Sequence, residues 1–581
     1  MKRILLPALI ALVSLSSCGP KDGDYRLEIL TTNDLHGSYF DSTYVGDRTE
    51  PSLLAVKYYA DSVRKAAGKD NVIIIDAGDF LQGDNAAYYY NYVETGKSHI
   101  ASRMFDHIGY DVIVGGNHDV ETGHPVYDRV AAELKKAGIP YLSGNAIRND
   151  DGGRYFPEYT ILKKGGLKVA VLGYNNANIK AWLNESLWSG THYTSLLPLV
   201  QEDVDRIRAK EKPDLVIVAA HTGTGSGNRQ VLESQGLDLF NSLKGVDAVI
   251  CAHDHRPFVD NNGSSILLNS GSHARNLGHG SISLTIDDGK VVSKTLSAEL
   301  ITVDADKSDA EMRASFQSDY DAVKEFTVRK VGELSADMNS RDALTGMSDY
   351  VNFIHTVSLG CSPAEISVAA PISTNTFIKA GDLIYNDLFS LYQYENQLFV
   401  LTMSGQEIKD YLEVSYDQWI QTATKPGDHV LNIQDREDPR NHMKRWSFRA
   451  ATYNFDSMAG LNYTVDVSKP YGERIAISSM ADGSAFETGR TYNVAMTSYR
   501  ASGGGGLLPK IGVDTDNIDD RVVNKYPEIR ELMYEYLKEN GSINPEVTGD
   551  PKVIGHWEFI PEDIAKEGIA ADMQLLYGNR P

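Results

Sequence analysis

Cysteine is nearly missing from this chain, with 3 in 581 residues. So few cannot form a disulfide framework, even in an oxidising compartment. Cys18 stands near the N-terminus, while Cys251, inside an apolar run, and Cys361 are expected to be small buried residues. Basic side chains are short as well: 56 Lys and Arg face 79 Asp and Glu, a formal charge of −23. That deficit excludes a nucleic-acid duplex or an anionic membrane face as partner, since both need a basic stripe. Small anionic ligands, held by metal ions and a few local arginines, are compatible with it. The apolar stretch Ile4 to Leu15 is too short to cross a bilayer. No internal period suggests a repeat architecture.

What is present begins with size. A chain of 581 residues exceeds what one core usually serves, so two domains with appendages are expected. With 42% hydrophobic and 23% charged residues it is ordinary globular protein. Lys2-Arg3, the short apolar run and the small residues after it read as a signal peptide over 1–17. Leu15-Ser16-Ser17-Cys18 resembles a bacterial lipobox, which implies cleavage before Cys18 and a lipid on its thiol. The expected product is exported and anchored to a bacterial membrane only through Cys18, facing the periplasm or the cell surface. Residues 19–24 would be a polar tether.

From about 25 to 305, short apolar strands alternate with helical segments, the pattern of a layered α/β domain. Asp111 to Val114 leads to Gly115-Gly116-Asn117-His118-Asp119, and Leu27 to Thr32 leads to Asn33-Asp34-Leu35-His36. Val72 to Ile75 leads to Asp76-Ala77-Gly78-Asp79, Leu215 to Ala220 to His221, and Val246 to Ala252 to His253-Asp254-His255. These runs predict strands of one sheet whose tips carry Asp, Asn and His. A pair of divalent ions explains the recurrence, because such ions take carboxylate oxygen and neutral imidazole nitrogen. The strand Lys168 to Gly173, ending at Tyr174-Asn175-Asn176, offers no expected ligand.

In that order, Asp34-Leu35-His36, Gly78-Asp79, Gly115 to Asp119, His221 and His253-Asp254-His255 resemble the signature of the calcineurin-like metallophosphoesterases. Ala252 stands where a glycine usually precedes the last motif. The resemblance implies a layered β-sandwich flanked by helices and a centre of two divalent metals, Zn, Mn, Co or Fe. One metal would take Asp34, His36, Asp79 and His255; the other Asp79, Asn117, His221 and His253. Asp79 would bridge. His118 would act on the phosphoryl or leaving oxygen, oriented by Asp119 or, by preference, Glu121.

Residues 306–330 are rich in Asp, Glu, Lys and Ala with apolar residues at helical spacing, predicting a linker helix and candidate hinge. The second domain, 331–541, is expected to be a smaller α/β unit. Gly381-Asp382-Leu383 is read as opening a helix, Gln397 to Met403 as a strand, and Ser404 with Glu407 as a capping box. Tyr499-Arg500 ahead of Gly503 and Gly504 pairs a flat ring with a backbone that permits close approach. Residues 542–581 read as a packed extension.

The order of the Gly381 helix, Tyr453 to Gly460 and Tyr499 to Gly504 is similar to the C-terminal domain of the periplasmic 5′-nucleotidases and 2′,3′-cyclic-nucleotide phosphodiesterases. That likeness implies a nucleotide substrate whose base stacks on Tyr499 and on Tyr453 or Phe455, with Arg500, Gly503 and Gly504 at the same site. Ala370-Pro371-Ile372-Ser373-Thr374 replaces a phosphate-directed arginine motif, and Gly505 replaces a ribose-binding acid. Both departures lean toward 2′,3′-cyclic nucleotides and 3′-nucleotides. A 5′-nucleotidase proper, a hydrolase of other phosphate or sulfur esters, and a nucleotide-binding surface lipoprotein are the competing expectations. The chain is expected to act as a monomer.

Overall fold

The computed structural model describes residues 22–578 apart from 184, 228–230, 395, 438–443 and 516. The signal peptide and Cys18 lie outside the described residues. No helix among the described residues is long and apolar enough to cross a membrane.

The first domain is built on two six-stranded sheets, not one. One runs Lys290–Thr302, Asn276–Asp287, Gly23–Thr32, Val72–Asp76, Val112–Val114, Tyr141–Leu142. The other runs Phe258–Asn261, Ile266–Asn269, Ala248–Ile250, Leu215–Ala220, Leu167–Tyr174, Tyr159–Lys164. Strand alternation explains the layering. Ile73 and Ile75 face Val171, Ile217 and Ile250 across the sandwich, while Val72 and Ile74 face outward into a helical layer. On the second sheet Leu215 and Ile217 point inward, whereas Val216 and Val218 point to helix Leu196–Glu211. Runs buried on both faces therefore look continuously apolar, so their periodicity does not divide them between two sheets, whereas the β-sandwich that the family resemblance implies is what the fold shows.

Outside the first sheet lie helices Leu53–Ala67, Ile100–Ile108 and His124–Ala137. The expected linker helix is two helices, Ala310–Ser315 and Gln317–Thr327. Met312, Phe316, Tyr320 and Val323 pack into the first domain's helical layer, so this segment is clamped to that domain over most of its length. Asp319, bound by Arg103 and Tyr90, fastens it further. Phe326 alone joins the core of the second domain, beside Tyr88 and Tyr89.

The second domain centres on a five-stranded sheet: Ser457–Ala459, Ile366–Ala369, Thr491–Thr497, Gln397–Ser404, Val522–Glu528. Helix Gly405–Trp419 follows Ser404, whose hydroxyl accepts from the Glu407 N–H while Glu407 accepts from the Ser404 N–H. Gly381–Ile384 is a strand, not a helix start: it pairs antiparallel with Lys330–Leu334, and the helix begins at Tyr385. The C-terminal segment adds strand Gly555–Ile560 beside Leu461–Asp466 and a helix, Glu562–Tyr577, that buries Ile564, Ala565 and Ile569 against the second domain. Cys251 is buried, but Cys361 ends helix Asp349–Gly360 and is exposed.

Candidate metal centre and nucleotide cleft

Five strand tips from the two sheets meet at one place. Asp34 and His36 follow Gly23–Thr32, Asp79 follows Val72–Asp76, and Asn117 opens a short helix after Val112–Val114. The facing sheet supplies His221 after Leu215–Ala220, and His253 and His255 after Ala248–Ile250. Gly116 lets two tips touch, because a Cβ there would collide with the Asp79 carboxylate. The backbone is strained where it presents the ligands: Asp34, His36, Asp79, His253 and His255 have φ of 49°, 45°, 60°, 71° and 54°. Such left-handed non-glycine residues cost about 1–3 kcal/mol each and persist where the surroundings over-determine them.

The side chains form two donor groups, Asp34 with His36 and His255, and Asp79 with His221 and His253. In the first, the Nε2 atoms of His36 and His255 stand 2.9 Å apart, and Asp34 Oδ1 lies 3.9 and 3.5 Å from them. In the second, His221 Nε2 is 3.0 Å from Asp79 Oδ2, and His253 Nδ1 is 2.9 Å from Asn117 Oδ1. Asp34 Oδ1 is also 3.9 Å from His221 Nε2, so this oxygen faces both groups.

The outer atoms of the ligands are already committed. Asp34 Oδ2 accepts from Asn33 Nδ2 and the His253 N–H. His221 Nδ1 donates to the Ala77 carbonyl at 2.8 Å, which leaves Nε2 as its lone-pair nitrogen, and Gln82 similarly holds His36 Nδ1. The inner atom Asp34 Oδ1 is buried without a hydrogen-bond partner, and His221 Nε2 faces the Asp79 carboxylate. Buried carboxylate and imidazole atoms converging in this way suit two divalent cations. Charge balance agrees: against the burial penalty, His221 and His118 hold the Asp79 carboxyl well below the usual range. Burial opposes charge on His221, while Asp79 and Asp34 raise its pKa, so a cation at Nε2 would displace a proton that these carboxylates otherwise hold there.

His118 lines the cleft beside these groups, and its Nδ1 meets Glu121 Oε2 at 2.6 Å. Asp119 does not orient it. Fully buried, Asp119 accepts from the N–H groups of Gly116, Asp79, Phe80 and Leu81 at 2.8–3.0 Å, and so ties two ligand loops together. Helical geometry separates the two acids: Glu121 is three residues on from His118 and shares its face, whereas the adjacent Asp119 points elsewhere. Asn175, at the tip without a ligand, donates to the Gly116 carbonyl and supports the same turn.

The second domain closes the cleft. Tyr394, Asn396 and Tyr499 line both the metal cleft, of about 680 Å³, and an adjoining apolar cavity of about 320 Å³. Tyr453 and Tyr499 are each 40% exposed, with centroids 6.2 Å apart and planes at 82°. A Cβ on Gly504 would come within 2.5 Å of the Tyr499 ring.

Phe455 is not part of this cavity. It is fully buried, stacked 5.6 Å from Trp419 at 5°. Arg500 is buried as well, spending its guanidinium on Asp456, the Tyr453 and Gly504 carbonyls and Asn454 Oδ1. It positions the two tyrosine loops and offers no free charge. Gly503, at φ 93°, turns the chain into that arrangement.

Sequence reasoning missed several residues of the cleft, among them Tyr394, Trp182 and His273. Trp182 follows the Tyr174-Asn175-Asn176 tip, so the row of strand tips was a signal for it. Tyr394 had none, since Tyr392 two residues earlier is a buried core residue of the same type.

Residues 27–257 match the calcineurin-like phosphoesterase family, and 329–511 match the 5′-nucleotidase C-terminal domain. The chain belongs to the two-domain calcineurin-like metallophosphoesterases of the 5′-nucleotidase type and is a metal-dependent phosphoester hydrolase. Members of this class work with dinuclear metal centres. It is 26% identical to the trifunctional nucleotide phosphoesterase YfkN of Bacillus subtilis, over 96% of this chain but only 41% of that protein. It is 24% identical to a 2′,3′-cyclic-nucleotide 2′-phosphodiesterase/3′-nucleotidase of Haemophilus influenzae, over 95% of this chain and 92% of that one. A solved Staphylococcus aureus structure, assigned as a 5′-nucleotidase, has the same fold with a TM-score of 0.70 at 20% identity, covering 92% of this chain and 99% of that one.

Proposed function

We propose that the protein is an exported, lipid-anchored nucleotide phosphohydrolase that prefers 2′,3′-cyclic nucleotides and 3′-nucleotides and releases nucleoside and phosphate for scavenging. The observation that carries the nucleotide reading is the common wall of Tyr394, Asn396 and Tyr499, which joins an aromatic cavity to the metal cleft. A base in that cavity has its sugar phosphate directed at the donor groups. The preference is supported by Ala370 and Ile372, which make that flank of the cavity apolar, by Gly505 in place of an acid, and by the name of the Haemophilus relative.

Asp34, His36, Asp79 and His255 would hold one metal, and Asp79, Asn117, His221 and His253 the other, with Asp79 shared. Bound there, two divalent cations supply Lewis-acid polarisation of the phosphoryl group and acidify the attacking water. The chain's own groups do the rest. Tyr499 and Tyr453 hold the base, which fixes the phosphorus relative to the donors. His118 delivers a proton to the leaving oxygen, and Glu121, on its Nδ1, keeps the imidazole oriented.

Steady-state kinetics on 5′-AMP, 3′-AMP and 2′,3′-cyclic AMP, with Zn, Mn, Co or Fe supplied in turn, test this reading. A higher kcat/KM for the cyclic and 3′ substrates is expected, and a clear preference for 5′-AMP overturns it. For the anchor, Cys18→Ser should move the protein from the membrane to the soluble fraction and abolish fatty-acid labelling. Labelling that persists in that variant rules the anchor out.

A further inference from the structure

The cleft has an aromatic surface on each domain. On the second domain it is Tyr394 and Tyr499; on the first it is Trp182, with Leu183 beside it. Trp182 is half-buried, and its indole lies 5.2 Å from the His253 imidazole at 22°, close to parallel. This ring therefore borders the donor group formed by Asp79, His221 and His253. A mononucleotide has one base, and the tyrosine cavity accounts for it. Nothing in a mononucleotide accounts for a second flat, cleft-facing ring beside the metal ligands. Leu183 lines the same wall, and both residues end the short helix Ile179–Trp182, which follows the strand that contributes no ligand.

We propose that Trp182 is a second stacking platform, which takes the leaving nucleoside of a dinucleoside monophosphate whose first base occupies the Tyr499 cavity. This rests on the nucleotide reading above and extends its substrate class from cyclic and terminal phosphates to open 3′,5′ diesters. Water adds to phosphorus, the bond from phosphorus to the 5′ oxygen of the second nucleoside breaks, and that oxygen takes a proton. The water's second proton leaves to solvent. The products are a 3′-nucleotide and a free nucleoside, and the 3′-nucleotide is already seated as the substrate of the next hydrolysis.

The test uses adenylyl-3′,5′-adenosine and 3′-AMP as paired substrates for the native protein, Trp182→Leu and Trp182→Phe, with bound metal measured in each. The native protein is expected to release adenosine and 3′-AMP from the dinucleotide. In Trp182→Leu the ratio of kcat/KM for the dinucleotide to that for 3′-AMP should fall about tenfold, mostly through KM, as for a lost base stack. Trp182→Phe should restore most of that ratio. No cleavage of the dinucleotide by the native protein overturns the proposal. So does an equal loss on both substrates in Trp182→Leu, with or without loss of metal, since that is the behaviour of a mere prop for His253. Failure of the native protein on both 3′-AMP and 2′,3′-cyclic AMP would count instead against the nucleotidase reading itself.

Discussion

The metal cleft and the aromatic cavity lie side by side, yet they are built on opposite terms. In the first domain the candidate ligands sit at strand tips, five of them in left-handed backbone. In the second, aromatic residues fill the core and the cavity alike. Tyr453 is exposed while Phe455, two residues on, is buried against Trp419. The lesson is that a residue type announces a site only where the fold has no other use for that type. Buried carboxylates and converging imidazoles are costly without a charged partner, whereas a buried ring is ordinary.

Mutations at each site can break or sharpen that contrast. The largest effect is expected of Asp79→Asn, which removes the shared charge; kcat should fall by about 10³-fold and metal content drop below two ions per chain. Asp34→Asn is its control, because Asp34 Oδ1 also faces both groups. If metal analysis finds two ions in Asp79→Asn and fewer in Asp34→Asn, then Asp34 is the bridge.

Next, His118→Asn should lower kcat by about 10²-fold or more with metal content intact, since a positioned general acid is worth that much. Glu121→Gln should follow it with a smaller loss. Asp119→Asn should lower the melting temperature first, because Asp119 holds backbone N–H groups of two loops. A variant at Asp119 with normal stability and lost activity would restore it as the partner of His118.

Phe455 and Tyr453 form the sharpest pair within the second domain. Phe455→Ala should cost about 3–5 kcal/mol of stability by denaturant unfolding. Tyr453→Ala should stay within about 0.5 kcal/mol of the native protein yet raise KM for nucleotides. Equal effects on stability would mean that Tyr453 too is packing. Tyr499→Ala should raise KM for nucleotides by the equivalent of about 1–3 kcal/mol. A small aryl phosphodiester should be turned over by that variant nearly as before, and an equal loss on it would place Tyr499 in the chemistry and not in base recognition.

The residues themselves determined much of this. The convergence of Asp34, His36, Asp79, Asn117, His221, His253 and His255 was legible because an apolar run ending in residues of metal-ligating type marks a strand tip whatever its neighbours. The capping box at Ser404 and Glu407 was legible for a similar reason: its partners are three residues apart and need no third element. Tertiary structure alone decided which tips belong to which of the two facing sheets, since strands buried on both faces have the same apolar character in either. It also decided that Tyr453 and not Phe455 faces the cavity, and that Arg500 is spent on Asp456. In both cases the direction of the side chain is set by contacts with residues tens of positions away, Trp419 for Phe455 and Asp456 for Arg500.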